Sequence, residues 1–136
     1  MLPESSTYLD TFTESNFVVQ SSLTYKLDLV NKRISGKVDD RAAVFQAVKK
    51  ILATNRYAME IYSGNYGEEL FALVGKPYAY IQTEAPRIIK EALSQDDRIL
   101  GVTNFVMNRI SVDSMELSFK VNTIYGDILY TTEVAI

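Results

Sequence analysis

Two chemically versatile residues are missing from this chain: it contains no cysteine and no histidine. Without cysteine there is no disulfide, thiolate metal site, iron–sulfur cluster or cysteine nucleophile. Without histidine the commonest general base, the commonest metal ligand and any Ser-His-Asp triad are gone. A basic patch is also missing. Residues 1–20 carry Glu4, Asp10 and Glu14 with no Lys or Arg, whereas the rest of the chain holds 14 acids and 14 bases. The net charge of −3 therefore sits wholly in the first segment. A balanced body lacks the clustered cations that phosphate binding needs, so nucleic acid is not an expected partner. No apolar run approaches the roughly 18 residues of a membrane span, and the acidic start is no signal peptide. No membrane partner is expected, and the cytoplasm is the expected site of synthesis.

What is present is ordinary. The 136 residues are 47% apolar and 23% charged, which fits one domain of a size that buries about two thirds of its unfolded surface. Residues 1–22 are rich in Ser and Thr, with Tyr8, Leu9, Phe12, Phe17 and Val18 scattered at no clean period. They read as an arm that orders against a partner or the body, leaving 23–136 as the domain.

From Thr24 the pattern sharpens. Tyr25, Leu27 and Leu29 alternate with polar residues, and Ile34, Gly36 and Val38 continue after the turn at Asn31-Lys32, which predicts a β-hairpin. Asp39 or Asp40 caps a helix to about Thr54, with Val44, Ala47, Val48, Ile51 and Leu52 on one face. A short strand is expected at 58–62, then a glycine turn over 63–67. Two turns of helix follow from Glu68 to Val74, stopped by Gly75. Pro77 suits the first turn of a further helix, whose face is Ile81, Ala85, Ile88, Ile89 and Ala92, and which Pro86 should kink or split. Strands are expected near 100–107, 115–121 and 128–134. The order reads as α+β: helices on one face of a mostly antiparallel sheet, with a C-terminal strand as an exposed edge.

Catalytic motifs do not survive inspection. Gly64 and Gly67 lack the third glycine of a dinucleotide fingerprint, and Leu70 and Pro77 break any phosphate loop around Gly75-Lys76. Asp96 and Asp97 are adjacent and flanked by Arg98, which fits a turn that neutralises its own charge better than an acid/base pair. Glu68 and Glu69 fit acids at a helix N-terminus. No metal or cofactor is implied, and an enzyme is not expected.

Two strings carry a family resemblance. The first runs Ile61-Tyr62-Ser63-Gly64-Asn65-Tyr66-Gly67-Glu68-Glu69-Leu70 and continues at Leu73-Val74-Gly75-Lys76-Pro77; the second is Glu91-Ala92-Leu93-Ser94-Gln95-Asp96-Asp97-Arg98-Ile99. Together they resemble the baseplate-wedge or sheath-initiator proteins of contractile tails, in the branch found in Gram-positive prophages and phage-tail-like bacteriocins. The resemblance covers about 23–134. Where the wider family has a Glu-Pro-Arg signature, Asp96-Asp97-Arg98 keeps the acid and the Arg but not the proline.

The resemblance implies a structural role in a virion or bacteriocin particle, with assembly in the host cytoplasm. Six copies per baseplate are implied, next to the tail tube, with wedge proteins on one side and the tail sheath protein on the other. Asp96, Asp97 and Arg98 are then expected to face the wedge bundle. The edge carrying Leu129, Thr131, Glu133 and Ala135 is expected to take a sheath arm by strand addition. A small cytoplasmic adaptor of the same fold and a muralytic enzyme are the competing readings.

Overall fold

The expected hairpin forms, although Tyr25, Leu27 and Leu29 stay exposed where their alternation predicts a half-buried strand. The computed structural model describes residues 21–136, so the expected arm lies outside the described residues except for Ser21 and Ser22. Strand β1 (Thr24–Asp28) pairs antiparallel with β2 (Arg33–Val38). Asp28 builds the turn, accepting from the backbone N–H groups of Val30 and Asn31 and from the Asn31 side-chain amide.

Helix α1 (Asp40–Leu52) follows, with Asp39 as N-cap and Lys49 and Lys50 in its last turn, where the helix dipole favours cations. Ala43, Val44, Val48 and Ile51 are buried, while Ala47 and Leu52 at the margin of the stripe are half-buried.

The strand expected at 58–62 is absent. The Ala58 N–H donates to the Asn55 carbonyl and that of Tyr62 to Met59, so the segment curls into turns. Met59 and Ile61 stay exposed, because among the described residues no neighbouring strand is present for the alternation to bury them against. The loop closes through a bridge between Asn55 and Glu68. Gly67 is required there: its φ is 100°, and a Cβ would sit 2.7 Å from the Thr54 carbonyl oxygen. The two α-helical turns expected after Glu68 are replaced by one 3-10 turn, Leu70–Leu73, which buries Leu70 and Leu73. Gly75 at φ 81° ends this segment as expected.

Helix α2 (Tyr78–Leu93) starts one residue after Pro77, which occupies the N-cap rather than the first turn. It is not split at Pro86. The carbonyl freed by the missing proline N–H belongs to Gln82, on the exposed side where water can take the bond. Ile81, Ala85, Ile88, Ile89 and Ala92 are all buried, as their spacing predicts, together with Leu93.

Three strands complete the α+β fold: β3 (Ile99–Arg109), β4 (Ser114–Thr123) and β5 (Gly126–Ala135). They form one antiparallel sheet in the order β3-β4-β5, separate from the β1–β2 ribbon, so the strands divide between two sheets. On β4, residues Met115, Leu117, Phe119 and Val121 are at most 1% exposed, whereas Glu116, Ser118, Lys120 and Asn122 face the other way. Phe119 is central. Its ring lies 5.5 Å from those of Phe105 and Tyr130, so one side chain ties all three strands. Truncation to Phe119→Ala should cost about 3–5 kcal/mol, read as a lower urea midpoint at unchanged m-value.

Candidate functional site

Among the described residues the sheet has two free edges, and they differ. Strand β3 loses register with β4 between Ile99 and Gly101 and again between Thr103 and Val106, and Asn104 sits at φ 56°. Such bulges twist an edge and interrupt its row of donors and acceptors. Strand β5 pairs with β4 from Gly126 to Ala135 without a shift. The phase of that ladder follows from one bond: the Ile136 N–H donates to the Asp113 carbonyl at 2.9 Å. Antiparallel residues alternate between exchanging hydrogen bonds and not, so Ser114 and Ala135 form a non-bonded pair and Met115 and Val134 a bonded one. Carried along the ladder, Ile128, Tyr130, Thr132 and Val134 point their amides at β4. The amides of Leu129, Thr131, Glu133 and Ala135 point away from it. Their side chains are exposed, and among the described residues no strand pairs with this edge.

The β1 edge of the ribbon is already occupied. The Gln46 side chain, projecting from α1, donates through Nε2 to the Tyr25 carbonyl at 2.8 Å and accepts through Oε1 from the Leu27 N–H at 2.8 Å. It stands where a neighbouring strand would. Sequence reasoning missed this clamp, because a glutamine on a helix carries no signal of its partner.

Asp96, Asp97 and Arg98 form the turn from α2 to β3, and the structure separates their tasks. Arg98 donates from Nε and Nη2 to the two carboxylate oxygens of Asp96, at 2.9 and 2.7 Å. Its backbone N–H adds a third bond to Asp96, and its carbonyl accepts from the Ile124 N–H. Burial pushes the Asp96 carboxyl up, but the bonds and charge of Arg98 outweigh it and hold the group below the usual aspartate value. Asp97 is exposed and takes no part in this pairing. The turn thus neutralises one acid internally and presents the other to solvent.

Glu68 and Glu69 turn inward. The Glu68 carboxylate accepts from the Leu70 N–H at the head of the 3-10 turn, and burial raises its pKa. Glu69 lies 3.7 Å from the guanidinium of Arg56, which bonds Glu91 at 2.8 Å. Arg56 is a buried cation that sequence reasoning also missed; its partners are 13 and 35 residues away by number, beyond any local pattern. Arg56 thereby fastens the loop that carries Glu69 to Glu91 on α2. Among the described residues no three acidic side chains converge as a metal site requires.

The sequence of this chain places it among contractile-tail components. The family model for the contractile injection system sheath initiator matches residues 22–126, and the chain belongs to that family. It is 41% identical over 113 residues to the phage-like element PBSX protein XkdS of Bacillus subtilis (strain 168), covering 80% of this chain and 79% of that relative. The matched span contains α1, α2, the Asp96–Arg98 turn and all of β4.

Asp96 supplies a pH test. A carboxyl with a lowered folded-state pKa contributes stability fully above its unfolded value and loses it as pH falls through the folded one. Wild type should therefore exceed Asp96→Asn in stability at pH 7, and the gap should close as pH drops below about 4. Denaturant midpoints across that range check it.

Proposed function

We propose that this protein links the baseplate wedge to the first sheath ring and templates sheath growth by strand addition along β5. The observation that carries the reading is the uninterrupted β5 edge, whose free amides at Leu129, Thr131, Glu133 and Ala135 follow from the register. A sheath arm in solution must fix its backbone at about 1–2 kcal/mol per residue before it has a neighbour. A preformed strand supplies hydrogen-bond partners and register at once. Six copies around the tail tube, at the baseplate of a phage or bacteriocin particle assembled in the host cytoplasm, would set the sixfold start of the sheath. Residues 23–136 act as the working domain, and no cofactor enters the task.

On the opposite duty, Asp97 and the unused donors of Arg98 meet the wedge proteins through charge-assisted hydrogen bonds. Asp97→Arg reverses the exposed charge and leaves the Asp96–Arg98 pair in place. It should shift stability by no more than about 0.5 kcal/mol while blocking incorporation into wedges in a co-purification assay. Normal incorporation would remove Asp97 from the interface.

The edge is tested with Thr131→Pro and Glu133→Pro, each of which deletes an outward donor and no ladder bond. Both variants should keep the circular-dichroism spectrum and cooperative melting of the parent, and baseplates carrying them should fail to grow sheath in electron micrographs. Sheath of normal length on both would place the docking edge elsewhere, with the β1–β2 ribbon next in line.

A further inference from the structure

A groove of about 1340 Å³ runs between the β1–β2 ribbon, α1 and the start of β5. Its walls combine apolar side chains with uncompensated cations. Leu29, Val30, Phe45 and Leu129 line it and are 55%, 90%, 39% and 79% exposed. Lys26, Arg41, Lys49 and Lys50 line it as well, and among the described residues none of the four joins an ion pair. The other charges of the groove are spent: Lys120 pairs with Asp127 at 2.9 Å, and Asp28 is committed to its own turn. The vacancy suits an acidic segment with bulky apolar side chains.

We propose that the occupant is the chain's own N-terminal segment, residues 1–20, docked in cis. That segment brings Glu4, Asp10 and Glu14 without a compensating base, and Tyr8, Phe12 and Phe17 among them. It carries the whole net charge of the protein, and the groove gathers four of the cations of an otherwise neutral body. The path is short. Ser22, held by a 2.7 Å hydrogen bond with the Tyr125 hydroxyl, lines a second hollow that shares Gln46 and Lys50 with the groove. Twenty residues reach about 65 Å when extended, well beyond the width of a domain this size. Tethering supplies an effective concentration in the millimolar range, so modest contacts suffice. This inference stands apart from the β5-edge reading, and either survives the failure of the other.

The absence of cysteine makes an introduced pair the only thiols present. In the full chain, Phe12→Cys with Ala42→Cys, at the groove wall on α1, should form an intramolecular disulfide at least tenfold faster than Phe12→Cys with Gln82→Cys on the exposed side of α2. Adding Lys49→Glu and Lys50→Glu should abolish the preference, and Asp10→Lys with Glu14→Lys in that background should restore it. Equal rates for the two pairs would overturn the proposal. So would a groove disulfide that forms only between molecules, which would make a second copy the occupant. Loss of sheath growth in the proline variants bears on β5 alone and leaves this rate ratio unchanged.

Discussion

One strand governs the rest of this structure. β4 is hydrogen-bonded on both sides, and every second residue from Met115 to Val121 is sealed beneath the helices. A slip of one residue would carry Leu117 and Phe119 to the wet face and bring Glu116 and Ser118 into the core. With each apolar side chain worth about 1.5–3 kcal/mol of burial, that alternative is closed. A fixed register on β4 fixes β5, because the two are joined by only Ile124 and Tyr125 and pair without interruption. The outward direction of the Thr131 and Glu133 amides is thus a consequence of core packing on the strand beside them.

The same logic explains why the edges are unequal. β3 carries two register shifts and a left-handed Asn104, features that hinder pairing with another chain. The β1 edge is filled by Gln46, whose side-chain amide imitates a strand at Tyr25 and Leu27. β5 keeps only part of the usual protection: it holds no proline, Leu129 and Thr131 carry no charge across its middle, and Glu133 is the one charge among the four outward-facing residues. An edge that is regular and exposed, with a single charge along it, is a hazard in a free protein and an asset in a nucleation site. Membership of the sheath initiator family is what favours the second view.

Much of this was legible from period alone. The helices were readable because Val44, Val48 and Ile51, and then Ile81, Ala85 and Ile88, repeat at helical spacing and each stripe meets a single core. The last three strands were readable because β4 has one dry face and one wet face. The 58–62 segment failed because its backbone bonds close turns, and Met59 and Ile61 lie exposed in a loop whose course is set from outside. That course depends on Arg56 reaching Glu91 and Glu69, and on Gly67 slipping beneath Thr54. Pairings over such separations leave no periodic trace. The Asp96–Arg98 turn was half legible: adjacency announced a neutralised charge, but only the geometry shows that Asp96 takes both bonds and Asp97 none.

A division of labour follows from where the stiffness lies. The Asp96–Arg98 turn is tied by three hydrogen bonds to Asp96 and a fourth to Ile124, so on the proposed reading a wedge contact meets a surface already ordered. β5 is held on one side by β4 and from beneath by Ile128, Tyr130 and Val134, so an arriving strand alone bears the cost of ordering. Both surfaces draw on one hydrophobic core, because the turn opens β3 and β3 pairs with β4. On the proposed reading, a load entering at the turn is passed from β3 through β4 to β5. The middle of that path is β4, whose two ladders and buried face make it the best-held strand of the sheet.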